Sequence, residues 1–348
     1  MYIDYKLLAI TNITSVEKMV DPERKNKNQK ITIQQVAKEA GVSTGTVSRV
    51  LNKRPGVKSF TQQRVLEAMK RLNYLPDTAA RELSLGKMAT IGLNVGAGSR
   101  RLIPFFMLFL EHLTTHVQAD GFRFREIPSG PHGLPEFLTD GLVLFGAHDD
   151  DPRISYLQDR NIPFVLVGRA NGVRWVMPDD YDGGLQATRH LIRLGHREIL
   201  HLSGLMNNQA FHDRYSGYLH ALEESGVSPE KEYLLDGEFS SLGAYRAVRK
   251  AREGGLEFSA IFAASDEMAI GAIAALEDLG LDVPLDVSVV GFDDLPEIGE
   301  NLTTIHQDID RIAETAVILL KEAFEGAPVR HEVIPVQLIA RSTTSRRR

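Results

Sequence analysis

Apolar residues near the start of the chain recur at helical spacing in three short stretches. From Thr90 onward they change to compact runs alternating with amphipathic segments. In TIQQVAKEAGVSTGTVSRVLN, residues 32–52, Val36, Ala37 and Ala40 fall on one helical face, and Thr32 is placed to cap the first turn. Gly41 stops that helix, because the tight corner after it needs positive φ. Ser43 is placed to cap a second helix whose Val47, Val50 and Leu51 turn inward, leaving Thr44, Gly45, Thr46, Ser48 and Arg49 outward. Ser59 and Gln62 have the spacing of a capping box, opening a third helix with Val65, Leu66, Met69 and Leu72 on its apolar face. A plain helical hairpin needs only the apolar face. The Gly corner, the cap and the short polar outward groups together point to a helix-turn-helix, whose second helix enters the major groove by its N-terminal end.

The stretch YLPDTAARELSLGK, residues 74–87, contains a chain-breaking Pro76 and one or two helical turns too short to be stable alone. It reads as a linker that folds when something docks against it. Beyond it, TIGLNV (90–95), FRFREI (122–127), GLVLF (141–145), PFVLV (163–167), EILHL (198–202), EYLLD (232–236), AIFAA (260–264) and VSVVG (287–291) are strand candidates. Helices are expected near 180–194, 209–225, 241–253 and 265–279. This alternation predicts parallel sheets covered by helices, and a break near Met177–Asp180 divides them into two lobes. In such folds ligands sit at the carboxyl ends of the strands.

Charge sharpens the division. The chain of 348 residues carries −6 overall, yet residues 30–88 hold eleven Lys/Arg against four Asp/Glu, a local +7. Residues 1–29 are near balance at +1, and everything from 89 onward carries 24 basic against 38 acidic residues, or −14. A basic head on an acidic body meets phosphate through the head alone. Zero cysteine excludes disulfides, cysteine nucleophiles and thiolate metal sites, and fits a reducing cytoplasm. No run is long and apolar enough for a bilayer, so no membrane partner is expected. VGAGSR after the first core strand imitates a dinucleotide loop but has Arg where the third glycine belongs. His190, His196 and His201 lack a metal-ligand spacing and read as structural. Neither a P-loop nor a G-x-S-x-G elbow is present, so the chain reads as a non-enzyme without cofactor or metal.

Seven blocks, TIQQVAKEAGVSTGTVSRVLN, LNYLPDTAARELSLGK, HLIRLGHREILHLSG, DRYSGYLHAL, ASDEMAIGAIAAL, VSVVGFDDLPE and LTTIHQD, occur in the order found in the lactose/galactose repressor family of bacterial transcription regulators. The chain resembles that family from residue 31 to about 344. The resemblance implies an α/β protein with a three-helix helix-turn-helix head, a hinge helix, and a two-lobed core of doubly wound parallel sheets similar to periplasmic sugar-binding proteins. It divides the chain into a disordered tail (1–29), a DNA-binding domain (30–75) and a hinge (76–88). The core N-terminal lobe is 89–178 plus 308–326, the C-terminal lobe 179–307 plus 327–342, and the basic tail 343–348. Two departures stand out. Only PSGPHGLPEFLT separates the second and third core strands, where the family has a helix, and GEN replaces the usual paired prolines before LTT.

By the same resemblance Thr44, Gly45 and Arg49 occupy base-reading positions. Arg49 suits a bidentate contact to guanine, with a phosphate clamp as the alternative, whereas Ser43 and the helix N-terminus suit phosphate, and Thr46 joins them on the DNA-binding face. Leu83 matches a hinge leucine wedged into the minor groove, with linker packing as the alternative. In the core, Arg214 of DRYSGY takes the main effector-binding position and Asp293 of GFDD the opposing acceptor. Ser265 and Asp266 of ASDE follow a strand into the cleft, and Phe239 of GEFSS is an aromatic cover for a ring. Phe105, Phe106 and Arg169 are further cleft candidates, and Gln307 touches either ligand or the hinge between lobes. Together these imply a homodimeric repressor in the cytoplasm that binds double-stranded operator DNA of sugar-utilisation genes under control of a sugar-like effector. The alternative is a sugar-binding receptor without DNA function.

Overall fold

Gly41, at φ 62°, turns the chain between helix α1 (Ile33–Ala40) and helix α2 (Thr44–Leu51), and a Cβ there would meet the Arg64 guanidinium at 2.7 Å. The computed structural model describes residues 33–51, 57–72, 88–96, 104–146, 150–204, 209–228, 231–296 and 298–347. Thr32, Leu83 and nearly all of the expected hinge lie outside the described residues. Two compact units are present, residues 1–76 and 77–348.

In the first unit α1, α2 and α3 (Ser59–Arg71) enclose Val36, Ala37, Ala40, Val47, Val50, Val65 and Ala68. Two sequence expectations are corrected. Leu66 is exposed at 52%, and Ala68 takes the inward position, because α3 meets two short helices over a stripe too narrow for both. The expected capping box is absent: the N-cap is Lys58, in extended backbone without a side-chain cap, and Ser59 is already the first helical residue. Arg64 bridges instead, its Nη2 donating to the Ala40 carbonyl and, at 3.3 Å, to that of Gly41, so α3 satisfies the open carbonyls at the end of α1.

The second unit holds two parallel sheets. The first is ordered β11-β5-β4-β3-β1-β2, from β1 (Thr90–Val95), β2 (Arg123–Ile127), β3 (Gly141–Phe145), β4 (Phe164–Val167), β5 (Trp175–Pro178) and β11 (His331–Ile334). Helices α4 (Pro104–Ala119) and α10 (Ile309–Phe324) cover one face over Ile91, Leu93, Phe109, Leu113 and Leu320, while α5 (Pro152–Asp159) packs Leu157 against Leu142, Leu144 and Trp175 on the other. Between β2 and β3 only a single 3-10 turn, Pro131–Gly133, and a Ser129–Pro135 bridge form, so the lobe is trimmed as its sequence implies. The second sheet runs β7-β6-β8-β9, from β6 (Ile199–Ser203), β7 (Leu234–Asp236), β8 (Ala260–Ala263) and β9 (Ser288–Val290). Helices α6 (Asp180–Arg193), α7 (Gln209–Glu224), α8 (Ser241–Glu253) and α9 (Asp266–Asp278) flank it. An antiparallel pair, β10 (Thr304–Gln307) with β12 (Val336–Ile339), completes this lobe.

The lobe boundary near the C-terminus is corrected. Residues 331–334 belong to the first sheet, paired in parallel with β5, because α10 lies on that sheet and delivers the chain to its edge. Pro335, which has no N–H for either ladder, separates β11 from β12, and the chain changes lobes there. The tail is no free basic segment through Arg347: Val289 N–H donates to the Thr343 carbonyl at 2.8 Å, and Arg347 N–H to that of Leu194 at 2.9 Å. His190 and His196 serve this docking through Thr344 and the Ser345 carbonyl, which fits their structural reading.

Candidate functional site

The head presents the N-terminal end of α2. Ser43 Oγ accepts from the Thr46 N–H at 3.2 Å and lies 3.0 Å from Thr46 Oγ1, so the expected cap is formed and the serine hydroxyl is engaged within its own helix. Thr44, Gly45 and Arg49 are exposed and Thr46 is half-buried. A Cβ on Gly45 would meet only Ser43 Oγ, at 3.7 Å. The head itself therefore places no demand for glycine there; the bare backbone leaves room for something outside it. Val47 and Val50 point the opposite way into the core, which fixes the outward face. A dipole-positive helix end with small polar side chains and one long donor suits phosphate and base edges.

In the core, the turn after β4 and the start of α7 meet: Arg169 N–H donates to Gln209 Oε1 at 2.8 Å, and Arg169 Nη2 lies 3.3 Å from Asp213 Oδ2. β4 and β6 run toward these loops, so the carboxyl ends of the two sheets face each other. One residue beyond Asp213, Arg214 is buried. Its Nε donates to Asp180 Oδ1 at 2.8 Å and its Nη1 to the Ala264 carbonyl at 2.5 Å, while Asp293 Oδ1 lies 3.7 Å from Nη1. The guanidinium rests on the Phe292 ring, 3.6 Å from its centroid. Gly184 and Gly217 make this possible. A Cβ on either would strike the backbone of the facing helix at 2.1 Å, so their absence of side chain lets α6 and α7 approach and brings Asp180 to Arg214.

Asp293 sits at φ 123°, unfavourable for any residue with a Cβ, and is held there by its N–H on the Ile305 carbonyl at 2.8 Å. Gln307 Nε2 donates to Asp293 Oδ1 at 2.6 Å, and Gln307 Oε1 is buried without a donor. Burial pushes the Asp293 carboxyl well above the usual carboxylate range against the pull of Arg214, and lifts Asp180 to about 6 despite the same arginine.

The structure brings Arg214, Asp293 and Gln307 together, and Phe239 joins them through Phe211, which it meets edge-on at 4.6 Å. Ser265 and Asp266 do different work. Ser265 is the N-cap of α9, accepting from Met268 N–H at 3.3 Å. Asp266 accepts from Thr304 Oγ1 at 2.6 Å and from Leu295 N–H at 2.9 Å, which locks α9 to β10 and commits both oxygens. Phe105 and Phe106 pack around Phe145 in the first lobe, Phe106 inside its core. Arg169 is half-exposed and faces Asp213. Sequence reasoning missed Asp180, Phe292, Gln209 and Asp213. Phe292 was legible beside Asp293 in GFDD. Asp180, inside a run of acidic residues at a helix start, carried no signal beyond capping.

Residues 32–77 match bacterial regulatory proteins of the lacI family, and residues 188–344 match the periplasmic binding protein-like domain. The HTH-type transcriptional repressor PurR of Erwinia tasmaniensis is 34% identical over 324 residues, covering 88% of this chain and 94% of its own length. Among solved structures, the complex of the transcriptional regulator CelR with cellobiose matches at 29% identity and TM-score 0.65, over 90% of this chain and 99% of that one. The lac repressor dimer bound to operator and the anti-inducer ONPF matches at 25% and TM-score 0.66, over 91% and 100%. No described helix is long and apolar enough to cross a membrane. A receptor without DNA function is thereby set aside: the chain belongs to the lacI family of bacterial regulatory proteins, DNA-binding transcriptional repressors with an effector-binding core.

Proposed function

We propose that this repressor works as a homodimer in the bacterial cytoplasm, reading the half-sites of a pseudo-palindromic operator with residues 43–49 of its two heads. A sugar or sugar derivative seated on Arg214, Asp293 and Gln307 relieves repression. The single observation that carries the effector reading is the buried Arg214, held between Asp180 and Asp293 over the Phe292 ring where the carboxyl ends of both sheets converge. A fork of donors beside fixed carboxylates suits vicinal hydroxyls, which both give and accept hydrogen bonds. The dimer and the operator come from likeness to the lac repressor complex, and the sugar from likeness to the cellobiose complex. A flat nitrogen heterocycle is the second reading, favoured by the edge of Phe239 on Phe211 near an acceptor, Gln307 Oε1, that has no donor.

Thermal shift on the full chain with cellobiose, ribose and other sugars, and with nucleobases, separates the readings, since a ligand specific for the native state raises its melting temperature. Sugars alone should shift the melt, and Arg214→Ala should lose that response while keeping duplex binding. Shifts from nucleobases alone would replace the sugar reading with the second one. An unchanged response in Arg214→Ala would remove this arginine from the site.

A further inference from the structure

Phe60 is 72% exposed, the highest value of any large apolar side chain among the described residues. The head closes its core without it: the buried cluster from Val36 to Ala68 neither includes this ring nor packs against it. Arg64, one turn further along the same face of α3, fixes where the ring stands. Its guanidinium lies 5.9 Å from the Phe60 ring centroid and donates to the Ala40 and Gly41 carbonyls. Those carbonyls close α1, and two residues later Ser43 caps α2. Phe60 therefore stands beside the corner that leads into the N-terminal end of α2. Both of these Arg64 partners are neutral, so a positive charge stays next to the ring. Lys58, exposed and without a side-chain cap to offer, opens α3 at the same end, and Lys53 and Arg54 come shortly before it in sequence. Leu66, the other exposed apolar side chain of α3, is six positions on, about 240° round the helix, and faces away from this corner.

An apolar ring set among cations matches the wall of a duplex groove. There phosphates alternate with deoxyribose rings, whose C–H faces are apolar and the same for every base pair. Cations meet the phosphates, and contacts to the sugars position a protein without reading sequence. Resting on the proposed entry of α2 into the major groove, we infer that Phe60 packs on a deoxyribose of the groove wall and extends the duplex interface from α2 onto the start of α3. The contact adds affinity that depends neither on sequence nor on salt, because burying an apolar face releases no counterion. Arg64 holds the ring in place beforehand, so little side-chain freedom is lost on binding.

The test is fluorescence anisotropy of the full chain across salt on two duplexes, one selected from a randomised pool and one of the same length with scrambled sequence. Phe60→Ala should weaken binding to both by the same factor, about 5–30-fold, and leave the slope of log affinity against log salt unchanged. Phe60→Tyr, which keeps the ring, should stay within about twofold of the wild type. Melting of the head should not fall in Phe60→Ala, since alanine is the better helix former and the core loses no contact. Equal affinity of Phe60→Ala and wild type overturns the inference. A loss confined to the selected duplex overturns it by making the ring a reader of bases, and a lowered head melt does so by giving the ring a protein partner. A wild-type chain that binds neither duplex at low salt overturns the DNA reading of the head itself, a result distinct from the other three.

Discussion

Replacing Arg214 by Met removes the cation that two buried carboxylates share and keeps much of the side-chain volume over Phe292. Breaking a buried ion pair by deleting one partner costs about 3–5 kcal/mol, because the remaining charge is left uncompensated. The carboxylates can escape part of that cost by holding a proton, and this makes the loss pH-dependent. In the wild type, Asp180 gives up its proton near pH 6, well above its unfolded value of about 3.9. Below pH 6 it is neutral in both folded proteins and contributes little to their difference. Above pH 6 the wild type ionises beside Arg214. The variant keeps its proton when folded but loses it when unfolded, so its stability falls by about 1.4 kcal/mol per pH unit relative to wild type. Two pH units bring the difference to about 3 kcal/mol at pH 8, with the lost ring contact adding roughly 0.5–2 kcal/mol at every pH. Trp175, the single tryptophan, is buried in β5 within the same compact unit, so its fluorescence in urea titrations reports unfolding of the core. The expected loss is about 1 kcal/mol at pH 5.5 and about 3–5 kcal/mol at pH 8. A loss that does not grow between these pH values, or one below 1 kcal/mol at pH 8, refutes the reasoning.

Arg49→Ala should relax base preference at one operator position by about 1–3 kcal/mol in competition binding, whereas uniform weakening across sequences would assign Arg49 to phosphate. Ser43→Ala should lower the stability of the head by about 1 kcal/mol, read from its melting, and leave the Trp175 transition of the core unchanged. Arg169→Ala should cost the core less than about 1 kcal/mol, since that side chain is half-exposed, while speeding effector release by loosening the contact between lobes. An unaltered release rate would show that the Arg169–Asp213 pair does not hold the lobes together.

The head and the alternating core were legible because their signals are local. A cap such as Ser43, a corner such as Gly41 and buried strands such as GLVLF announce themselves within a few residues. The strands left unread, β5, β10, β11 and β12, are four residues each, and three of them include exposed or half-buried positions that blur the apolar run. Membership of a sheet was harder still. HEVI pairs with a strand more than 150 residues earlier, and no periodicity encodes that. The same holds for the site. Arg214, Asp293 and Gln307 stood in recognisable blocks, whereas Asp180 became visible only once Gly184 and Gly217 had brought two helices together. Asp266 stood out in the sequence as a cleft residue, yet its oxygens are spent on Thr304 and Leu295, partners distant in the chain.

In the proposed mode of action the basic head grips duplex DNA and the core decides when it lets go. Fluorescence anisotropy of the full chain on an operator selected from a randomised duplex pool, across salt and with each sugar that shifts its melt, tests both halves at once. Affinity should fall steeply as salt rises, and a bound sugar should change it by about 5–150-fold. Failure to bind any duplex at low salt, or an affinity indifferent to every ligand the core binds, would contradict the account.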